Sequence, residues 1–530
     1  MSIRQEIQSV FAQVIGGSEP APLEEPKNLD YGDYATNIAL RLAKPLKKAP
    51  KIIAQELVPK LAAQTADFAF TEINGFINIR VSDQKLFQEL AKITPDYGKP
   101  DADTSTPFDC AQGKPLSVRR EKILLEYVSA NPTGPLHIGH GRWAVLGDTL
   151  ARALAYCGQQ VTREFYINDA GRQIANFVNS VQAVRKNQPV PEDGYHGAYI
   201  QELAKLDADP VQTMLDRQKT TLQNIHAEFD SWFSEKTLHA SGAVDQALEI
   251  LRRKNLLYTG ENEYAGALVF RAENFGDDKD RVLVKSNGEK TYFTADIAYH
   301  KNKLDRGFDR LINIWGADHH GYITRVRAAI EALTGRRDAL QVILGQLVNL
   351  FRGGEPVKMS KRTGEMITLQ EVIEEIGVDA ARYFLAAAKS DTALDFDLEL
   401  AKKQSNDNPV YYVQYAHARI CSILRQAAVK PLQATALQPP DKLETAERTL
   451  ILKMLRLPEE IEAIAQNYAI HRLCAYAQEL AALFHNFYHE CQVISEDAQT
   501  TARRLQIIQA AQIVLKIIFD LLGISAPEKM

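Results

Sequence analysis

The sequence predicts a multi-domain α/β protein, in which a parallel-sheet core follows a small α+β domain and precedes an all-α bundle. Three observations carry this. From Ile123 to about residue 350, short apolar runs alternate with helical patterning, the signature of βαβ units and of a parallel sheet whose functional loops lie at the strands' carboxyl ends. Ahead of it, FAFTEINGFINIRVSD alternates in polarity around Asn74-Gly75, which predicts a β-hairpin. Beyond Asp395 the periodicity is helical almost to the end, with prolines only at Pro409, Pro431, Pro439, Pro440, Pro458 and Pro527, so a separate helical bundle is expected.

At 530 residues, 45% of them hydrophobic, the chain exceeds what one core accommodates. Composition divides it into an α+β domain over 1–100, a linker over 101–120, the core over 121–395 and the bundle over 396–530. The linker is rich in Pro, Gly, Asp and Ser and has no periodicity. Within the core, mostly helical patterning from about residue 173 to 264 breaks the alternation and predicts an insertion between two halves of a nucleotide-binding sheet. The expected strands are ILLEYV from Ile123, VTREFYI from Val161, LINIW from Leu311 and VILGQLVNLF from Val342, with a helix from near Gly141 to Gly158.

A net charge of −5 implies no general affinity for polyanions. Arg41, Lys44, Lys47, Lys48, Lys51 and Lys60 form a local basic stretch against Glu56, read by itself as a solvated helix face. Five cysteines (Cys110, Cys157, Cys421, Cys474, Cys491) without a C-x-x-C pair argue against a disulfide framework or a zinc ribbon and fit a reducing, cytoplasmic setting. The opening MSIRQEIQSVFAQVIG has no signal-peptide core. Leu505 to Ile524 is interrupted by Gln506, Gln509, Gln512, Lys516 and Asp520 at helical spacing, which predicts a packed terminal helix and no membrane span.

His137-Ile138-Gly139-His140 lies in VSANPTGPLHIGHGR, between an apolar run and a helix start, where backbone N–H groups favour bound phosphate. Two histidines three apart could ligate a metal or simply cap the helix. No H-x-x-x-H or H-E-x-x-H accompanies them, and capping leaves Pro132, Gly134, Gly139 and Gly141 unexplained. Close backbone approach to a nucleotide accounts for all of them. Lys358-Met359-Ser360-Lys361 stands between Gly353-Gly354 and Thr363-Gly364, before a helical pattern from Thr368. When a carboxylate attacks an α-phosphorus, charge builds on the phosphoryl oxygens and the departing pyrophosphate, so a closing lysine stabilises the transition state above the ground state. Together the two segments look like halves of a site that activates a carboxylate with ATP. Gly316, Asp318 and His319 follow the LINIW strand, where a ribose or adenylate contact and a helix N-cap by Asp318 are both open.

The paired motifs resemble those of the class I aminoacyl-tRNA synthetases. VSANPTGPLHIGHGR with YFTADIAYH, WGADHHG and a closing SAPEKM is similar to the bacterial type of arginyl-tRNA synthetase. The likeness spans nearly the whole chain: GDYATNIAL and NGFINI resemble that family's tRNA-contacting appended domain, and SNDNPVYYVQYAHARI and FHNFYHEC its helical anticodon-binding domain. Residues 102–120 have no counterpart in the resemblance and read as a lineage insertion. The resemblance implies a Rossmann-like catalytic core that uses ATP, with Mg2+ as its counter-charge, to join L-arginine to tRNA(Arg), activation waiting for the tRNA, and a monomer.

By the same resemblance Ser129, Asn131 and His140 meet the amino acid's α-groups, while Tyr292 and Asp296 meet its side chain. Asp296 lies one helical turn beyond Tyr292, and a carboxylate matches the planar donor fork of a guanidinium. Glu126 is a second carboxylate or an outward strand residue. His137, Gly139 and His140 line the ATP phosphates, and Lys358, Met359, Ser360 and Lys361 approach from the other side. Arg362 stands where the family loop often has serine. Tyr411, Tyr412, Tyr415, Phe484, Phe487 and Tyr488 could stack on anticodon bases, though most aromatics at helical spacing are core. Two other classes share parts of this pattern. A small-molecule nucleotidyltransferase needs neither the second lysine loop nor a long helical domain, and a silent RNA-binding paralogue would lack the histidines and lysines.

Overall fold

The computed structural model describes residues 2–16, 20–26, 28–100, 120–357, 367–429 and 439–530. In the N-terminal unit, β1 (Tyr34–Thr36), β2 (Phe68–Ile73) and β3 (Phe76–Val81) form an antiparallel sheet in the order β1-β3-β2. Phe68, Phe70, Ile77, Ile79 and Val81 are buried, as alternation dictates. Asn74 and Gly75 both take positive φ, 53° and 84°, which a two-residue hairpin turn of this hand requires. The helices Ile3–Ile15 and Pro50–Ala62 cover this sheet.

The core strands are β4 (Lys122–Glu126), β5 (Gln160–Ile167) and β6 (Ser231–Ser234), then a separate antiparallel trio β7 (Leu257–Thr259), β8 (Leu268–Phe270) and β9 (Arg281–Val284), and finally β10 (Arg310–Gly316) and β11 (Leu340–Gly345). The main sheet is wholly parallel, in the order β11-β10-β4-β5-β6. The chain runs outward from β4 through β5 to β6, then returns to β4's other side as β10. The topological switch point therefore lies between β4 and β10, and the crevice beyond their carboxyl ends is where such sheets bind ligands. Ile123, Leu124 and Leu125 are fully buried, as expected for a central parallel strand covered on both faces.

Three elements depart from the sequence-based expectation. The segment after residue 173 is mostly helical, but it is not wholly an insertion: β6, between the helices Pro210–Asn224 and Glu235–Ala240, is an edge strand of the main sheet. Its four residues are too few for a periodicity signal. VILGQLVNLF is not one strand: it breaks at Gln346-Leu347 into β11 and β12 (Val348–Arg352), and β12 pairs with β13 (Glu355–Pro356) and with β14 (Leu394–Asp397) in a third small sheet. The helix expected from near Gly141 starts earlier, as Ile138–Tyr156.

The bundle comprises Pro409–Val429, Thr445–Leu455, Leu457–Asn467, His471–Glu490 and Ala498–Leu522. The last is, among the described residues, the one helix long and apolar enough to cross a membrane, and most of its apolar window is buried inside the protein. Arg448 joins the bundle to the N-terminal unit by ion pairs to Asp33 and Asp83. Arg382, fully buried, joins it to the core: its guanidinium donates to Asp148 Oδ2 at 2.6 Å, to the Leu522 carbonyl at 2.6 Å and to the Ile225 carbonyl at 2.7 Å. Gly523 has φ 68°, and a Cβ there would fall 2.5 Å from the Arg382 guanidinium. Arg382→Met leaves a buried carboxylate and two carbonyls short of donors, so it should lower stability by about 3–5 kcal/mol. The measurement is chemical denaturation followed by tryptophan fluorescence, and an unchanged midpoint would refute the keystone role of Arg382.

Candidate active site

Where β4 ends, Val128 and Ser129 take φ of 67° and 44° in succession, a strained conformation for a β-branched residue that persists only when its surroundings enforce it. Ser129 Oγ donates to Glu126 Oε1 at 3.0 Å and accepts the Tyr166 N–H at 3.1 Å. The insertion then holds the loop by its carbonyls. Gln218 Nε2 donates to Asn131 and Gly134 at 3.0 and 2.8 Å, and the Tyr199 hydroxyl donates to Thr133 at 3.1 Å. The Asn131 side-chain amide donates to Gln173 Oε1.

His137 is the N-cap of the Ile138–Tyr156 helix. Its Nδ1 accepts the Gly139 N–H at 3.1 Å, while His140 Nδ1 accepts the His137 N–H at 3.2 Å. The two rings stack with centroids 3.7 Å apart. Acceptance at both Nδ1 atoms puts the proton of each neutral ring on Nε2. Two oriented imidazole donors thus stand beside a helix N-terminus, an arrangement that suits anionic oxygen. Capping and phosphate recognition, alternatives in the sequence, are compatible in one geometry. A Cβ at position 139 would approach His137 Cε1 to 3.0 Å, and one at position 141 would meet Leu369 Cδ1 at 2.5 Å, so both glycines serve close packing.

Lys358, Met359, Ser360 and Lys361, with Arg362, lie outside the described residues. Their flanks are anchored. The Val357 N–H donates to the Leu350 carbonyl at 2.8 Å on one side; on the other, Thr368 pairs with His137 in an antiparallel bridge and the Leu369 N–H donates to the Leu136 carbonyl at 2.8 Å. The chain just after the lysine segment is therefore joined backbone to backbone to the histidine turn, some two hundred positions away in sequence.

At the end of β10, Gly316 precedes the 3-10 turn Ala317–Tyr322. Of the two readings open for Asp318, the N-cap is not formed: Asp318 lies inside the turn, which has no side-chain cap, and its carboxylate is 3.5 Å from His319 Nε2. The cap position falls instead on Gly316, where a Cβ would meet Asp318 Oδ1 at 2.5 Å. Trp143, from the histidine helix, fills the space that side chains at Gly316 and Gly345 would need.

Tyr292 and Asp296 sit on the first turns of the helix Tyr292–Asp305. Tyr292 is 75% exposed, with its hydroxyl near Gly171. Asp296 is half-buried and accepts a hydrogen bond from the Tyr322 hydroxyl on Oδ2. Loss of hydration, opposed by that hydrogen bond and reinforced by the carboxylates of Glu126 and Glu235, lifts its pKa to about 7. Glu126, which the sequence left as a second pocket carboxylate or an outward strand residue, is buried and ion-paired with the fully buried Lys303. Sequence reasoning missed Lys303, Tyr322, Tyr166 and Glu235. Glu235 is buried just past β6; burial, helped by its carboxylate, pushes the Tyr166 hydroxyl pKa up. Asp296, His300 and Lys303 recur at i, i+4 and i+7, so a polar stripe on a buried helix face was a usable signal for one of the misses, Lys303. Glu235 gave none.

Three family models match the chain: the arginyl tRNA synthetase N-terminal domain over residues 1–81, the catalytic domain of class I (R) tRNA synthetases over 109–209 and 196–420, and the DALR anticodon binding domain over 413–530. An arginine–tRNA ligase of Desulforamulus reducens is 44% identical over 96% of this chain and 93% of its own length. One from Bacillus licheniformis is 43% identical, covering 96% of this chain and 94% of its own. The structure of the Thermus thermophilus arginyl-tRNA synthetase, at 24% identity, superimposes with a TM-score of 0.81 and covers all of both chains, which supports the fold. Histidine turn, switch-point sheet, flanking domains and sequence relatives agree, and the chain belongs to the arginyl-tRNA synthetase family of class I.

Proposed function

We propose the following division of labour for an arginine–tRNA ligase that forms arginyl-adenylate from ATP and L-arginine and passes the arginyl group to the 3'-terminal ribose of tRNA(Arg). The observation that supports it is the Thr368–His137 bridge, which brings the chain seven residues beyond Lys361 to the start of the histidine helix. His137 and His140 offer Nε2 donors, and Gly139 its close backbone, to the triphosphate. Lys358 and Lys361 meet the same phosphates from the opposite side, with Met359 and Ser360 completing the loop. Gly316, Asp318 and His319 contact the adenosine ribose. Ser129, Asn131 and His140 receive the α-amino and carboxylate groups of arginine; Asp296 and Tyr292 receive the guanidinium, with Glu126 and Glu235 as supporting charge.

The chemistry follows from position. The arginine carboxylate attacks the α-phosphorus, an O–P bond forms, and pyrophosphate leaves with the electron pair of the bond that breaks. Imidazole and ammonium donors stabilise the charge that accumulates on those oxygens. Donors at the helix start are all N–H groups, which suit phosphate oxygen and not a divalent cation, so Mg2+ travels with the triphosphate as counter-charge. The bundle beyond residue 396, in which Tyr411 and Tyr415 stack with ring centroids 6.2 Å apart, binds the anticodon stem. The buried thiols Cys421, Cys474 and Cys491 support a reducing, cytoplasmic setting, and the enzyme acts as a monomer, which sedimentation checks.

Lys361→Ala should lower the rate of adenylate formation by roughly a hundredfold with little change in arginine binding. Single-turnover kinetics separate the two, and equal losses in both would remove Lys361 from the transition state. The second expectation concerns pH. Only the Asp296 carboxylate pairs with the guanidinium, and in the free site its pKa is raised to about 7. Arginine use is therefore fully present above that pH and is lost as pH falls through it, kcat/KM for arginine dropping about tenfold per unit. Asp296→Asn should weaken arginine use, leave ATP affinity nearly intact and flatten this acid limb. An unchanged limb in that variant would assign it to another group.

A further inference from the structure

Beneath the pocket a buried chain of hydrogen bonds connects Asp296 to Ser129. His300 Nδ1 lies 2.8 Å from the Asp296 carbonyl, which can only accept, so Nδ1 carries the proton. Burial holds this ring neutral, its pKa pushed down to about 3. Nε2 must then accept, and it lies 3.1 Å from Asn313 Nδ2. That contact orients the amide and turns Asn313 Oδ1 toward Lys303 Nζ at 3.2 Å. Lys303 also pairs with Glu126 Oε2 and sits 4.2 Å from the Tyr299 ring centroid, so its ammonium is fully engaged. Glu126 Oε1 in turn receives the Ser129 hydroxyl.

We propose that Lys303 is a positioning residue for arginine activation: by neutralising and holding Glu126, its buried ammonium keeps Asp296 available as a carboxylate for the guanidinium and holds Ser129 in its strained turn. The inference rests on Asp296 as the guanidinium partner. The groups that face Asp296 are Glu126 on β4, Tyr166 on β5, Glu235 after β6, Tyr322 of the 3-10 turn, and His300 and Lys303 on its own helix. Burial pushes both tyrosines well above neutrality and His300 far below it, so none of these three accounts for a limb at neutral pH. Lys303 and Glu126 carry opposite charges and act on Asp296 in opposite directions.

The test is a charge ladder on the full-length enzyme with tRNA present, reading kcat/KM for arginine across neutral pH. Lys303→Met should move the acid limb up by roughly one pH unit, and Glu126→Gln should move it down by a similar amount. The double variant should return it close to the parent position, and Lys303→Arg should leave it there. KM for ATP should stay unchanged throughout. Shifts of the same sign from the two single variants, or a double variant no nearer the parent than Lys303→Met, overturn the proposal. If Lys303→Met fails to fold, the remaining pair decides it, since replacing both ions of a buried pair is commonly tolerated. A limb that survives Asp296→Asn overturns the guanidinium assignment itself, and is distinguishable because it would then follow neither charge.

Discussion

The parallel pairing of β4 with β10, in the register that sets Glu126 beside Asn313, is the constraint on which the site depends. It opens the crevice at the switch point and places two polar side chains, from strands nearly two hundred positions apart, side by side where one ammonium reaches both. A slip of one residue would turn Glu126 to the opposite face of the sheet. Lys303 would then be a fully buried cation without its anion, which a protein interior does not tolerate. Register, ion pair and pocket thus enforce one another, and the apolar runs on either side fix the register by burial.

In the proposed site, electrostatics would sort the substrates along the crevice. At the histidine turn the helix N-terminus and the Nε2–H groups of His137 and His140 are donors. Under the Tyr292–Asp305 helix the balance is reversed, with Asp296, Glu126 and Glu235 facing one ammonium. A molecule that is cationic at one end and carboxylate at the other is therefore oriented before any specific contact forms. Its carboxylate is directed toward the donor-rich end, where the triphosphate is proposed to lie. Positioning of this kind lowers the entropic share of the barrier without a protein nucleophile.

Much of this was legible in the sequence, for identifiable reasons. The βαβ alternation, the Asn74-Gly75 hairpin and the terminal helix are local patterns, and the structure has each of them. The histidine turn was legible because glycine and proline at such density have few uses. The edge strand β6 was not, since Ser231–Ser234 is held by its pairing with β5 and by no preference of its own. The break between β11 and β12 was hidden because Leu347 continues the apolar run although it is 71% exposed. The failed N-cap of Asp318 reflects a tighter 3-10 turn, which moves the cap position to Gly316. Lys303 could be placed on a polar helix stripe but its role could not be read, and Glu235 was invisible, because their meaning lies in partners from other strands and composition records charges without their neighbours.

The lifted pKa of Asp296 bears on discrimination. Near neutral pH the empty pocket is divided between the carboxylic acid and the carboxylate, so it need not hold a full desolvated charge while it waits. In the proposed pocket an entering guanidinium would shift the balance to the carboxylate and expel the proton. With Tyr322 bonded to Oδ2, the carboxylate plane is held, and a planar donor fork can align with it through two parallel N–H···O contacts. A compact ammonium on a shorter reach brings the charge but not the plane. A neutral side chain brings neither, and leaves the proton where it was. In the proposed pocket, rejection of such competitors would come from a desolvated acceptor left without its partner, the kind of penalty that reaches several orders of magnitude in a single binding step.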